Sequence, residues 1–187
     1  MNHKNKIEKV TFSVITVCYN AEKVIQETIE SVLKQTWKDF EYIIVDGAST
    51  DKTIDIVSQY ARSEKRLIWY SEPDNGIFHA MNKGIRYASG DFLIFLNAGD
   101  RFHSSQVLAK AAELAEAVFP DIMIGDVAFR LETGLSRYKY AVDKELEDNL
   151  GRGKNVCHQV IFASKECLEE GFDEYFPTCA DYDWLCR

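Results

Sequence analysis

The sequence is short of positive charge. Lys and Arg number 22 against 30 Asp and Glu, for a formal net charge of −8 over 187 residues. A nucleic-acid binder would show the opposite balance, gathered into a basic face. The same deficit bears on phosphorylated substrates, because an acidic protein that holds a diphosphate needs a divalent cation to offset the repulsion. No apolar run approaches the roughly 18 residues of a membrane-spanning helix. Residues 1–9 are polar and charged, without the apolar stretch of a secretory signal. Five cysteines, with no C-x-x-C pair, read as reduced thiols of a cytosolic protein rather than as a disulfide framework or zinc site. There is no G-x-G-x-x-G and no P-loop, which argues against the glycine-turn phosphate cradle of dinucleotide enzymes and P-loop NTPases. Low-complexity segments and fixed-period repeats are missing as well.

Hydrophobic residues make up 46% of the chain, enough for one domain with a sizeable core. "VTFSVITVCYN" (10–20) is a β-rich run ending on polar residues. In "AEKVIQETIESVLKQT" (21–36), Val24, Ile25, Ile29, Val32 and Leu33 recur at helical spacing. "FEYIIVDGASTDKT" (40–53) repeats the arrangement, with a strand over 42–45, a turn at Asp46 and Gly47, and Ser49, Thr50 and Asp51 as helix N-cap candidates. "RLIWYSEP" gives a third strand, "HAMNKGIRYASG" a helix, and "DFLIFLNAGD" a fourth strand. Strands alternating with helices predict parallel βαβ units. After a helix near 104–118 the pattern changes. "DIMIGDVAFRL", "SRYKYAV" and "CHQVIFAS" each predict a strand, with one short helix near 143–150, consistent with a mixed sheet. "SKECLEEGF" and "CADYDWLCR" predict helices. The expected fold class is α/β, with a mostly parallel, Rossmann-like central sheet, helices on both faces and a mixed C-terminal part. Residues 1–187 are read as a single domain, 1–103 as a nucleotide-binding half and 104–187 as an acceptor-side half. The chain stops about two turns into its last predicted helix, so further chain is expected beyond Arg187.

Three strand ends carry polar residues to one edge of such a sheet: Cys18, Tyr19 and Asn20 after the first, Asp46 after the second, Asn97 and Asp100 after the fourth. Any one could merely satisfy turn backbone. Together they mark the edge where open α/β sheets bind ligands.

These stretches carry a resemblance. "SVITVCYNAEKVIQETIESVLKQTWKDFEYIIVDGASTDKT" and "EPDNGIFHAMNKGIRYASGDFLIFLNAGD" resemble, in order, the signature blocks of family 2 glycosyltransferases of the GT-A fold, in flavour those that build bacterial surface polysaccharides. The resemblance runs over 11–187. It implies that Val17, Tyr19 and Asn20 border the nucleotide, with Tyr19 packing on the base and Asp46 accepting from its ring N–H. It places Asp74, Asn82, Asn97 and Gly99 near the nucleotide sugar and makes Asp100 the ligand of a Mg2+ or Mn2+ ion. "PTCADYDWLCR" resembles the block that opens a helix with an acidic pair, which implies Asp181 as general base and Asp183 as reserve. His158 and Gln159 of "CHQVIF" fall on the acceptor side.

Two departures stand out. Gly47 follows Asp46 where the family usually has a second carboxylate, and Gly99 precedes Asp100 where another is common. The implied activity is inverting, metal-dependent transfer of a hexose-type sugar from a nucleotide-diphosphate donor, UDP favoured, to a hydroxyl of a saccharide or lipid-linked acceptor. The implied setting is the cytoplasm, at the inner face of the cytoplasmic membrane, with peripheral association. Nucleotidyltransfer, or an inactive nucleotide-binding relative, are the alternatives. The first would favour a Gly-rich basic loop near the first helix, whereas 20–28 contains neither Gly nor Arg.

Overall fold

The computed structural model describes residues 9–131, 134–138 and 156–187. Strands β1 (Phe12–Cys18), β2 (Phe40–Asp46), β3 (Leu67–Ser71), β4 (Phe92–Phe95), β5 (Ile122–Ile124) and β8 (Ile161–Ser164) form one sheet in the order β3-β2-β1-β4-β8-β5. β1 to β4 are mutually parallel, whereas β8 runs antiparallel to both β4 and β5. A separate hairpin pairs β6 (Val127–Leu131) with β7 (Gly134–Tyr138). Among the described residues there are five α-helices: α1 (Ile25–Leu33), α2 (Thr53–Ala61), α3 (Ile77–Tyr87), α4 (Val107–Val118) and α5 (Ala180–Cys186).

β1 and β4 are buried along their whole length, as strands covered on both faces must be. Alternation divides their side chains between two cores. Phe12, Val14, Phe92, Ile94 and Leu96 pack with Ile25 and Ile29 of α1 and Leu108 and Ala112 of α4. Ile15, Val17, Leu93 and Phe95 pack with Phe78, Met81 and Ile85 of α3 and with Ala180 of α5. The chain therefore has helices on both faces, and the mixed part begins where β8 joins β4.

Several boundaries differ from expectation. The run over 121–131 is two strands, broken at Gly125, whose N–H turns to the Val160 carbonyl (2.8 Å). Residues 157–164 are not one strand: a 3-10 turn at His158–Val160, closed by Val160 N to Cys157 O (3.1 Å), precedes β8. Where a helix is expected over 164–172, Ser164 ends β8 and the rest holds only a 3-10 turn, Glu166–Leu168. In the first two cases a cross-strand or local i to i+3 bond won over the strand propensity of an apolar run, and in the third i to i+3 bonds such as Leu168 N to Lys165 O (3.1 Å) replaced the helix. The helix expected near 143–150, and the end of the strand over 136–142, lie outside the described residues.

Strand order sets the location of the crevice. From β1 the chain moves outward through β2 to β3, then returns to the other side of β1 with β4. The connections after β1 and β4 thus diverge, and the gap between their C-terminal ends is the topological switch point where such sheets bind ligands.

Candidate active site

Register brings the first cluster together. Cys18 pairs with Asp46 and Asp46 with Ser71, so three side chains stand in one row across β1, β2 and β3. Asp46 is 0% exposed. Its Oδ2 accepts from Ser49 N (2.9 Å) and Ser71 Oγ (2.7 Å), and its Oδ1 accepts from Ser49 Oγ and from Cys18 Sγ (3.6 Å). Burial, then the Asp46 charge, pushes the Cys18 thiol well up, so it remains a protonated donor. The expectation that Asp46 meets a base N–H is not what this geometry offers, because both oxygens already accept from protein donors.

The neighbours of Asp46 face outward. Tyr19 is 62% exposed. Asn20, at φ 48°, ties the loop after β1 to the loop after β2: its N–H donates to Ser49 Oγ (2.8 Å) and its Oδ1 accepts from Thr50 N (2.9 Å). Val17 is buried in the α3-side core, and its carbonyl accepts from Ala98 N (3.2 Å), joining the ends of β1 and β4. Asp74 Oδ1 accepts from Gly76 N (3.0 Å), which braces the turn into α3. Its Oδ2 lies 2.5 Å from where a Cβ on Gly47 would stand, and Tyr19 Cδ2 lies 3.4 Å from the same point. Asn82 does other work. Its Oδ1 accepts from Phe172 N (2.8 Å) and its Nδ2 donates to Phe172 O and Glu174 Oε1 (both 2.9 Å), stapling α3 to the segment that leads to α5.

The second cluster joins β4, the 3-10 turn and α5. Asn97 Nδ2 contacts His158 Nε2 at 3.1 Å, and His158 Nδ1 contacts Asp181 Oδ2 at 3.0 Å. An amide nitrogen only donates, so Nε2 is the acceptor and the neutral ring carries its proton on Nδ1, where it donates to Asp181. Asp181 is 7% exposed, and its Oδ1 accepts from Tyr182 N (2.9 Å). Asp183, two residues along α5, faces elsewhere and pairs with Arg187 Nε (3.1 Å). The structure thus brings Asp181 into the network and leaves Asp183 out.

Asp100 sits on a tight turn. Gly99, at φ +100°, donates its N–H to Thr28 Oγ1 (3.0 Å), Thr28 Oγ1 donates to Asp100 O (2.8 Å), and Asp100 N donates to Asn97 O (2.9 Å). Gln159 Nε2 donates to Asp100 Oδ2 (3.1 Å). Burial pushes the Asp100 carboxyl upward, and the Gln159 hydrogen bond pulls the other way. Asp100 and Gln159 also rim a cleft of about 820 Å3 toward α4, walled by Leu96, Val107, Ala111, Met123 and Phe162.

Among the described residues, no three His, Cys, Asp or Glu side chains cluster tightly enough to hold a metal ion alone. The donor set fits a hard cation that brings other ligands with it. A single carboxylate oxygen suits Mg2+ or Mn2+, whose remaining positions are commonly filled by substrate phosphates and water.

Sequence reasoning made Asp100 the metal ligand and Asp181 the general base and put His158 and Gln159 on the acceptor side, without their pairing. It missed Ser49, Ser71 and Thr28, whose only sequence signal is a hydroxyl beside an acidic strand end or on the apolar face of a helix.

Comparison with known proteins agrees with this architecture. Residues 13–165 match the family described as Glycosyl transferase family 2. A PGL/p-HBAD biosynthesis glycosyltransferase of Mycobacterium bovis (strain BCG / Pasteur 1173P2) is 37% identical over 180 residues, covering 94% of this chain and 68% of that protein. The putative teichuronic acid biosynthesis glycosyltransferase TuaG of Bacillus subtilis (strain 168) is 39% identical over 100 residues, 53% of this chain and 40% of that protein. Among solved structures, S. aureus TarS 1-349 superposes with a TM-score of 0.73 at 22% identity, over 92% of this chain and 53% of that one. The Pyrobaculum calidifontis mannosyltransferase PcManGT in complex with GDP-Man and Mn2+ superposes at 0.64 with 24% identity, over 90% of this chain and 49% of that one. This chain therefore spans about half the length of those structures. With its mostly parallel sheet, α3 and α4 on opposite faces and polar groups at the switch point, the chain has the GT-A fold and belongs to glycosyltransferase family 2.

Proposed function

We propose that the protein is an inverting, metal-dependent glycosyltransferase that moves a hexose-type sugar from a UDP-sugar to a hydroxyl of a saccharide or lipid-linked acceptor. Residues 1–103 serve the donor and 104–187 the acceptor, together as one catalytic domain. The observation that carries the reading is the line Asn97–His158–Asp181, which joins the end of β4, where donor chemistry gathers, to an acidic group on the acceptor side. The S. aureus TarS structure in complex with UDP-GlcNAc, a fold neighbour at TM-score 0.71, supports a UDP-sugar donor. The mycobacterial and Bacillus relatives support a product in glycolipid or cell-envelope polysaccharide assembly. No helix among the described residues is long and apolar enough to cross a membrane, which suits cytoplasmic work with peripheral attachment at the inner membrane face.

In this reading Val17, Tyr19 and Asn20 border the nucleoside, and Asp46 shapes the floor beneath it. Among the described residues Asn97 Oδ1 is buried with no hydrogen-bond partner, so a donor hydroxyl arriving there satisfies an acceptor that is otherwise costly to leave unpaired. Asp100 would hold the Mg2+ or Mn2+ ion, with Gln159 orienting its carboxylate and the turn at Gly99 setting its height. A cation there supplies charge neutralisation for the departing diphosphate. Asp181 takes the proton of the acceptor hydroxyl while that oxygen bonds to the anomeric carbon, and the bond to the diphosphate breaks with its electron pair leaving on UDP. One displacement inverts the anomeric centre. His158 keeps Asp181 oriented by its Nδ1–H. The cleft beside Asp100 and Gln159 is of a size that suits a small ligand.

A panel of UDP-sugars with Mn2+ and a hydroxyl acceptor tests the reading. Asp181→Asn should lower turnover by about 10²–10⁴-fold while leaving UDP binding intact, and Asp100→Ala should remove cation-dependent transfer. Wild-type turnover in both variants would overturn these assignments.

A further inference from the structure

The carboxylate available to a nucleoside is not the one at the end of β2. Asp46 is fully buried and accepts from Ser49 N, Ser49 Oγ, Ser71 Oγ and Cys18 Sγ. A carboxylate has about four acceptor positions. A ring N–H could reach it only by displacing one of the serine donors or the buried Cys18 thiol. The next residue, Gly47, has no side chain, and the space above it is taken: Asp74 Oδ2 lies 2.5 Å and Asp74 Cγ 3.3 Å from the point where its Cβ would stand. The Tyr19 ring bounds the same space at 3.4 Å and is itself 62% exposed. Two loops remote in sequence therefore set a carboxylate and an open aromatic face around one bare backbone position.

Asp74 is also well held. The Gly76 N–H takes its Oδ1 (3.0 Å), which turns Oδ2 toward Gly47. Just before it, the Lys83 ammonium, 5% exposed, donates to Pro73 O (2.8 Å) and pairs with Glu72 (3.1 Å), so the segment is anchored to α3.

We propose that Asp74, rather than Asp46, reads the base of the nucleotide, accepting from the imide N–H of uracil while the base stacks on Tyr19. Gly47 stays bare so that Asp74 can stand there. An ionised carboxylate only accepts. Uracil presents a ring donor between two carbonyls and satisfies it, whereas cytosine presents a ring acceptor at that position and is repelled. The inference rests on the nucleotide-sugar reading above and assigns the specificity of that site.

Calorimetric titration of the protein with UDP and with CDP, both with Mn2+, tests it. Asp74→Asn preserves size and the acceptor for Gly76 N, and removes the charge. It should weaken UDP by about tenfold or more and bring the UDP-to-CDP affinity ratio toward one. Gly47→Ala leaves every charge in place but pushes Asp74 aside, and it should weaken UDP in the same direction. The double variant Gly47→Asp with Asp74→Gly moves the carboxylate to the neighbouring strand end and should recover much of the preference for UDP. If Asp74→Asn and Gly47→Ala both bind UDP and CDP as the wild type does, the assignment to Asp74 fails while the glycosyltransferase reading stands. If the wild type binds neither nucleotide, both readings fail together.

Discussion

Gly99 occupies the position where a second carboxylate is common in this family, and its backbone explains why none is there. At φ +100° it adopts a conformation that side chains rarely enter, although the space around it is open: a Cβ would meet nothing closer than Val24 Cγ2, at 3.7 Å. The constraint is torsional rather than steric. It is locked by Thr28, fully buried, whose hydroxyl accepts from Gly99 N and donates to Asp100 O. Gly99→Asp would thus add a carboxylate at the cost of the turn that aims Asp100. Gly99→Ala isolates the torsion and should cost about 1–3 kcal/mol of stability, read as a lower denaturation midpoint at unchanged slope. Thr28→Val should cost about 1–2 kcal/mol by stripping both bonds. A Gly99→Ala protein as stable as wild type would show that the left-handed turn is dispensable. This residue-level reason was not legible in the sequence. A lone Gly after Asn-Ala announces a turn, but the hydroxyl that fixes it lies on α1, about seventy residues earlier by the spacing of the pair.

At the scale of elements, the α2–β3 connection shows how charge sets a strand start. Arg66 grips Glu64 by two parallel bonds, Nε to Oε1 (2.9 Å) and Nη2 to Oε2 (2.6 Å), and lies over the Phe40 ring at 4.3 Å from its centroid. Its carbonyl accepts from Tyr42 N (2.8 Å), which starts the pairing of β3 with β2. Hydrogen bonding from Arg66 holds the Glu64 carboxyl down to about 2. A carboxyl depressed in the folded state contributes stability that is fully present above its ordinary value of 4.5 and is lost as pH falls toward 2. Allowing for partial solvent screening, Glu64→Gln should cost about 1 kcal/mol at pH 7. The gap in melting temperature between variant and wild type should hold above about pH 5 and narrow as pH is lowered from there toward 2. A gap that does not change with pH would mean that packing, not the ion pair, holds this corner. The elements themselves were largely readable. β1, β2 and β4 announce themselves by apolar residues on both faces, and α1 and α3 by helical spacing. The turn at His158–Val160 was not readable, because its apolar residues suit a strand equally well. Nor was the meeting of Asn97 with His158, 61 positions away, since local patterns carry no information on which distant loop a strand end will face. Asp46 and Ser71 met for a reason visible only in three dimensions, the shared register of β2 and β3.

The whole molecule sets an electrostatic problem that its site must solve. A chain with net charge −8 sets Asp46 at the end of β2 with Asp74 against the next residue, Gly47, and sets Asp100 and Asp181 about the turn at His158–Val160, and a nucleoside diphosphate bound at this edge of the sheet would add further negative charge. The described side chains near Asp100 include neutral Gln159 and Asn97, and Arg101 is turned to Glu27 at 2.6 Å. Affinity for the diphosphate should therefore depend on a divalent cation far more than it would in a site lined by arginines. Ligands that bind only the native state raise its stability by RT ln(1 + [L]/Kd), about 2.7 kcal/mol at one hundred times Kd. For a chain of this size that corresponds to roughly 5–10 °C in melting temperature. UDP with Mn2+ should give a shift of that order, and UDP in EDTA a much smaller one. Asp100→Ala should reduce the first to the level of the second, because the remaining groups would hold the nucleoside but not the cation. High salt offers a second handle, since screening relieves repulsion among exposed charges: it should narrow the difference between Mn2+ and EDTA without abolishing it, because Asp100, which would hold the cation, is partly buried and so less screened. An equal shift by UDP in Mn2+ and in EDTA would show that the crevice accepts the diphosphate without a cation, and would move the burden of charge compensation onto groups other than Asp100.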